Sequence, residues 1–355
     1  MLFKICSLTC SILNISGKLC LSEKFIIDEV TYMIRFGIVG AGEIAQKFAR
    51  DIKYSKGAVL TAVASRNLAK AEEFAQEFNI EFAFGSYEEM AKSNKIDAVY
   101  IATPHNFHKE QSILFMNNKK HVLCEKPIAV NTKEFEEMVF SAQKNKVLLM
   151  EAMWTRFLPS TLKVRETVQS KKLGKLKNVY LEFGFDVIGN VTESGRMLNP
   201  HLAGGSLLDM GVYPVAYTLN ITDQKVKTIR AKSRFSHTGV DIDCVIDFVF
   251  EDQSTAKLIS SIDQDKQSPG ILEFEKGTII IDEFWRSQKV TINDKEFLFP
   301  HIGEGFPYEI NSFVETLESG HLENNIMTHD QSRKSMQMLD EIRKVVGLTY
   351  PFESK

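Results

Sequence analysis

The chain is poor in the residues that build metal centres and cross-linked scaffolds. Five cysteines occur in 355 residues, and three of them, Cys6, Cys10 and Cys20, crowd the first twenty positions. Only Cys124 and Cys244 remain in the body. An odd total without Cys/His ligand spacing argues against a disulfide framework and a zinc site, so no metal is expected and the body reads as cytoplasmic. No run approaches the roughly 20 apolar residues that a membrane span requires. Charge of one sign is not in excess either. The 43 Lys and Arg stand against 46 Asp and Glu, a net charge of -3, which gives no reason to expect nucleic acid or an anionic membrane surface as partner. Internal repeats and low-complexity segments are missing too.

What is present is the composition of a globular protein, 44% hydrophobic and 25% charged. The length exceeds what one core usually supports, so two domains are expected. Residues 1–32 carry no clear element. Lys4 followed by Ile5 to Ile15 faintly resembles a signal peptide, but Ser, Thr and Asn interrupt the run and no small-x-small cleavage site follows. Met33 stands directly before the first strong strand. The expectation is therefore a natural start at Met33, with 1–32 an extension.

From Ile34 to Met150 apolar runs alternate with amphipathic stretches. Ile34–Val39, Leu60–Ala64, Ala98–Ala102, His121–Cys124 and Val147–Met150 read as strands. Ile44, Phe48 and Ile52, then Ala71, Phe74, Ala75 and Phe78, then Phe135, Met138, Val139 and Ala142 recur at helical spacing. This alternation predicts a doubly wound parallel sheet of Rossmann type. After Glu151 the period changes. A helix is predicted over Ser160–Ser170. Val179, Leu181, Phe183 and Phe185, then Cys244, Ile246, Phe248 and Phe250, then Ala256, Leu258, Ser260 and Ile262 alternate. That period of two predicts an α+β half: a mostly antiparallel open sheet with helices on one face. Two closing helices follow, marked by Ile310, Phe313, Val314 and Leu317 and by Met338, Leu339, Ile342 and Val345, with Gly347 as the stop.

Gly40-Ala41-Gly42-Glu43-Ile44-Ala45 fits G-x-G-x-x-G/A between a strand and a helix, the context in which the pattern binds a dinucleotide. Gly40 permits the turn, Gly42 lets backbone approach a pyrophosphate, and the helix N-terminus favours its charge. The second strand ends Ser65-Arg66-Asn67 without an acid. An acid there would bond the ribose hydroxyls of NAD. Arg66 and Ser65 offer donors to a 2′-phosphate instead, which favours NADP, with NAD as the alternative.

Cys124-Glu125-Lys126-Pro127 lies at a strand end, and Gly204-Gly205-Ser206-Leu207-Leu208-Asp209-Met210-Gly211-Val212-Tyr213 follows in the second half. With the glycine fingerprint, these segments make the chain resemble the glucose-fructose oxidoreductase/inositol dehydrogenase (Gfo/Idh/MocA) family. The resemblance runs from about Ile34 to the last helix. Glu151-Ala152-Met153-Trp154-Thr155-Arg156-Phe157 and Tyr213 point to its dimeric dihydrodiol dehydrogenase and NADP-dependent D-xylose dehydrogenase branch. The resemblance implies that Lys126, Asp209 and Tyr213 are catalytic. It implies that Thr103, Pro104, Asn106 and His108 border the nicotinamide ribose with Glu125 and Lys126, and that Lys126-Pro127 is cis. It also implies that related chains associate through the second-half sheet, so a homodimer or higher homo-oligomer is expected.

The chemistry suits those residue types. Removing hydride from a C–H requires that the hydroxyl proton leave as well, and a phenol takes it only if its pKa falls. The Lys126 ammonium is expected to favour the Tyr213 phenolate. Which of the two is the acid/base stays open, because coupled groups share their titration. Asp209 and Tyr213, four apart, would share a helical face, and Asp209 would hold substrate hydroxyls or fix the lysine. Pro214 makes a regular helix over Gly205–Leu219 awkward. Trp154, Arg156, Phe157 and His201 are candidates for the substrate pocket.

The expected arrangement is 33–152 for dinucleotide binding and 153–355 for substrate binding and dimerisation, the last helix packing back on the first part. The expected activity is NADP(H)-dependent hydride transfer on a sugar, polyol or trans-dihydrodiol. The alternatives are an NAD-dependent inositol or sugar dehydrogenase and a non-catalytic dinucleotide-sensing regulator.

Overall fold

A computed structural model describes residues 33–222 and 224–353. The extension at 1–32, with its three cysteines, lies outside the described residues. In the first half β1 (Ile34–Val39), α1 (Glu43–Asp51), β2 (Ala58–Ala64), α2 (Leu68–Phe78), β3 (Phe82–Phe84), α3 (Tyr87–Lys92), β4 (Ala98–Ile101), α4 (His108–Asn117), β5 (His121–Glu125), α5 (Thr132–Asn145) and β6 (Leu149–Ala152) alternate. The strands form one parallel sheet in the order β3-β2-β1-β4-β5-β6. Their cores are apolar on both sides: Phe36, Ile38, Val63, Val99, Ile101, Val122 and Leu123 are fully buried. That double covering is why these strands read as continuous apolar runs. The order reverses between β1 and β4, and the strand ends there leave a crevice.

The second half carries α6 (Pro159–Gln169), β7 (Leu176–Gly184), α7 (Val212–Ile221), β8 (Val226–Phe235), β9 (Asp241–Phe250), β10 (Thr255–Ser261), β11 (Gly270–Phe274), β12 (Gly277–Ile281), β13 (Lys289–Ile292), β14 (Lys295–Leu298), α8 (Phe306–Glu318) and α9 (His329–Val346). Its sheet runs β14-β13-β12-β11-β7-β10-β9-β8, and only the β7–β10 pair is parallel. Cys244, Ile246, Phe248 and Phe250 face the covered side, with α7 and α9 packed there. The open side is mixed in character. Paired residues across it run Ile280, Ile271, Tyr180, Lys257, Asp247, Arg230, apolar at one end and charged with alternating sign at the other.

Regular helix begins later than the expected Gly205. Leu207–Gly211 is a π-helical segment that passes into α7, where Pro214 is the third residue. In a π-helix the Asp209 carbonyl would take the N–H of residue 214, and proline has none. Gly205 enters this segment at φ +119°, and a Cβ on it would lie 2.2 Å from Asp241 Oδ1. The other Asp241 oxygen accepts the Leu207 N–H at 2.6 Å.

The chain's end returns to the first half. Asp340 of α9 accepts the Thr132 N–H and hydroxyl at the start of α5. Ser332 donates to Glu151, whose other oxygen accepts the Ile128 N–H just past Lys126-Pro127. Beyond α9, which stops at Gly347 with φ +77°, the buried Tyr350 donates its hydroxyl to the Gly204 carbonyl at 2.9 Å.

Candidate active site

The chain leaves β1 through Gly40 at φ +99°, a left-handed conformation that favours glycine. Gly42 precedes α1, no side chain caps that helix, and a Cβ on Gly42 would meet nothing within 4 Å. The first N–H groups of α1 thus carry no side-chain cap, and open space lies beside Gly42, a ready seat for a diphosphate. This turn opens a cleft of about 560 Å³. Gly40, Ala41, Gly42, Glu43 and Ile44 border it together with Lys126, Asp209, Met210 and Tyr213. Ser65, Arg66, Thr103, Pro104 and Glu125 also line it. Arg66 lies over the Phe107 ring at 5.6 Å and stands beside Tyr87. With no acid at the end of β2, this corner suits a phosphate.

Lys126 follows β5 through a cis Lys126-Pro127 peptide. Its Nζ donates to the Asp209 carbonyl oxygen at 2.8 Å and to Oδ1 at 3.1 Å, and lies 4.9 Å from the Tyr213 ring centroid. The π-segment thus turns the Asp209 carbonyl toward the lysine. Asp209 Oδ1 also pairs with Arg196 at 3.0 Å and stands 3.8 Å from His105. Burial opposes its charge, but Lys126 and Arg196 hold its carboxyl well below the usual range. Burial likewise works against the Lys126 ammonium. Asp209, Tyr213 and Glu125 outweigh it and keep the lysine above its ordinary value. Glu125 accepts the buried Tyr100 hydroxyl, which steadies the strand end. Burial pushes the His105 ring well below its usual value, so it is neutral.

The expected Tyr213 phenolate does not survive this geometry. Burial pushes the phenol up to about 12, and the pull of Lys126 is too small to reverse it. The Trp154 indole N–H donates to the Tyr213 oxygen at 3.0 Å. That oxygen is thereby occupied as an acceptor, and its own proton remains available to donate.

Several expected site residues lie elsewhere. His108 is fully buried, its ring nitrogens 2.9 Å from the Pro127 carbonyl oxygen and 2.8 Å from that of Thr103. It braces two cleft loops from behind. Asn106 sits in the His105–Phe107 turn off the cleft. Arg156 is buried and gives Nε–H to the Ile326 carbonyl at 2.7 Å, and Phe157 is a core residue. Both turn inward because the Trp154–Phe157 turn packs under α8. His201 is exposed on a neighbouring turn and does not line the cleft. Trp154 stacks on Phe306 at 5.5 Å and reaches the cleft only through Tyr213. The aromatic wall is instead Phe183, edge-on to Tyr213 at 5.2 Å. Sequence reasoning also missed Arg196, His105, Lys47, Lys70 and Tyr87 as cleft residues. His105 stood inside a recognised loop, but nothing in the sequence singles out Arg196.

A parallel sheet opening on a glycine turn, with an amine, a carboxylate and a phenol across the same crevice, defines an oxidoreductase that works with a nicotinamide dinucleotide. Residues 34–153 match the model of the Gfo/Idh/MocA oxidoreductase family with NAD-binding Rossmann fold, and 161–280 match the family's C-terminal domain. The chain belongs to the Gfo/Idh/MocA family. It is 36% identical over 335 residues to trans-1,2-dihydrobenzene-1,2-diol dehydrogenase of Mus musculus, covering 91% of this chain and 99% of the relative. It is 36% identical over 328 residues to scyllo-inositol 2-dehydrogenase (NADP(+)) of Bacillus subtilis, covering 90% and 99%. In fold it is similar to an aldose-aldose oxidoreductase from Caulobacter crescentus, with a TM-score of 0.80 at 20% identity over 89% of this chain and 98% of that one. A 3-ketoreductase from Actinomadura kijaniata, solved with NADP and TDP-benzene, gives 0.80 at 22% over 88% and 98%. Among the described residues no cluster of three or more His, Cys, Asp or Glu is placed to hold a metal ion, and no helix is long and apolar enough to cross a membrane.

Proposed function

We propose that the chain is an NADP(H)-dependent oxidoreductase acting on a hydroxyl-bearing carbon of a sugar, polyol or trans-dihydrodiol. One observation carries the reading: Lys126 Nζ lies 3.1 Å from Asp209 Oδ1 and 4.9 Å from the Tyr213 ring, in a cleft continuous with the Gly40–Gly42 turn. The bound nicotinamide supplies or accepts the hydride. Gly40, Ala41, Gly42, Glu43 and Ile44 seat the diphosphate, and Ser65, Arg66 and Lys70 take the 2′-phosphate. The named activities of the mouse and Bacillus relatives, on a dihydrodiol and an inositol, support vicinal hydroxyls as the substrate feature. Lys126 and Tyr213 both hold protons and converge on one substrate oxygen. In reduction they donate to it. In oxidation one of them must first lose its proton. Asp209 fixes the ammonium and leaves the phenol as the freer donor, so Tyr213 is assigned the proton transfer and Lys126 the polarisation of the substrate oxygen. Buried free thiols at Cys124 and Cys244 fit a cytosolic setting. The open face of the second sheet supports a homodimer.

Sugars, inositols and diols are to be screened with NADP and with NAD, read at the nicotinamide absorbance band. Turnover of a vicinal diol or polyol with NADP is expected. Tighter binding of NAD than NADP overturns the cofactor assignment. Lys126→Met is expected to lower turnover by at least about 10³-fold while cofactor affinity changes by no more than a few-fold. Unchanged turnover removes the catalytic assignment.

A further inference from the structure

We propose that Arg196 is the second-half cation that clamps the cofactor's diphosphate against the N-terminus of α1. The proposal deepens the dinucleotide reading above and rests on it. Asp209 is oversubscribed: Lys126 and Arg196 both pair with its Oδ1, at 3.1 and 3.0 Å. Both cations thus share one carboxylate oxygen. His105 beside it adds no positive charge, since burial keeps its ring neutral. Among the described residues Asp209 is the one ion-pair partner of Arg196. The guanidinium carries five N–H donors, and 54% of the side chain remains exposed at the cleft, so most of them are unspent.

The fold delivers this residue deliberately. A Cβ on Gly204 would lie 2.7 Å from the carbonyl oxygens of both Arg196 and Met197. Gly205 N–H donates to the Met197 carbonyl at 2.9 Å. The paired glycines therefore let the Arg196–Met197 backbone lie directly on the start of the π-segment. From there Arg196 feels three negative groups: Asp209 and Glu125 at the reactive end, and Glu43 at the start of α1. It lines the same cleft as Gly42 and Lys126. A dinucleotide with its ring at Lys126 and its diphosphate at Gly42 would lie in the cleft that this guanidinium lines. The diphosphate is the anion that matches the unspent N–H donors, and a planar guanidinium matches phosphate oxygens bidentately. A carboxylate on the substrate is the rival occupant.

The test measures NADPH affinity by nicotinamide fluorescence for the wild type, Arg196→Gln and Arg196→Lys, at low and high KCl. Adenosine 2′-monophosphate, which lacks a diphosphate, is the control ligand. Arg196→Gln is expected to weaken NADPH by roughly 10–100-fold, the size of a lost charge-assisted contact. It should flatten the salt dependence and leave the control within about twofold. Arg196→Lys should recover part of the loss. Unchanged NADPH affinity in Arg196→Gln overturns the proposal, as does equal weakening of both ligands. Selective loss of acidic substrates at constant NADPH affinity overturns it in favour of the rival. A wild type that binds neither ligand removes the dinucleotide reading itself.

Discussion

At the residue scale, the proposed reaction makes Lys126 and Tyr213 competing answers to one requirement, the movement of a proton at a substrate oxygen. Burial sets the Tyr213 phenol at about 12, and Asp209 together with Tyr213 and Glu125 keeps Lys126 protonated against its own burial. Both groups are donors at neutral pH. The base form needed for oxidation grows about tenfold per pH unit below the governing pKa. The oxidation rate is therefore expected to climb steeply between about pH 6 and 9, while reduction, fed by protonated groups, stays nearly level. Initial rates in both directions across that range check this, and a flat oxidation profile removes both residues as the base. Lys126, Asp209 and Tyr213 were legible because each sits in a short, recognisable string. The string could not show that the phenol loses to desolvation, since that depends on Phe183 and Trp154 packing around it. Arg196 was illegible for a related reason: its meaning comes from Asp209, thirteen positions away, through a loop with no period.

At the element scale, the parallel sheet was readable because double covering forces apolar runs, and β1, β4 and β5 fall within a residue of their expected ends. β6 begins two residues later than expected, since the Leu148 N–H is taken by the His121 ring rather than by a strand ladder. β3 and β8 were missed. β3 has three residues, and the covered positions of β8 include Ala231 and Ser233, too small or polar to mark a period. The π-segment was visible only as a difficulty, Pro214 in a helical stretch. Its entry is the fragile point. Gly205→Ala puts a methyl into Asp241 at a left-handed backbone angle, so a loss of about 2–4 kcal/mol is expected. Thermal unfolding of the variant measures it, and an unchanged melting temperature would show that Asp241 can move aside.

At the scale of the whole molecule, the two sheets divide the labour. One offers a crevice at its strand ends, the other a broad open face. The row Ile280, Ile271, Tyr180, Lys257, Asp247, Arg230 has an apolar half, which is the part proposed to pack on a second copy. Sedimentation is expected to find a dimer, and Tyr180→Asp combined with Ile271→Asp is expected to yield monomers. A wild type that sediments as a monomer ends that reading. A second whole-chain expectation concerns the tail. Stopping the chain after Gly347 removes the buried Tyr350 and its bond to Gly204, together with the Arg343–Glu353 ion pair. A loss of about 3–5 kcal/mol, typical of deleting a buried aromatic, should appear as a melting temperature lower by several degrees. Equal melting of the truncated and full chains would refute it.

That tail has a consequence for how the protein comes into being. The glycine turn and Lys126 emerge from the ribosome early, but the carbonyl of Gly204 waits for Tyr350 and the start of α5 waits for Asp340. A nascent chain can form its first sheet while still tethered, but these bonds between early and late segments form only once Asp340 and Tyr350 have been added. The segment that carries Asp209 into the cleft is therefore braced last, by a residue made after all of those that line it.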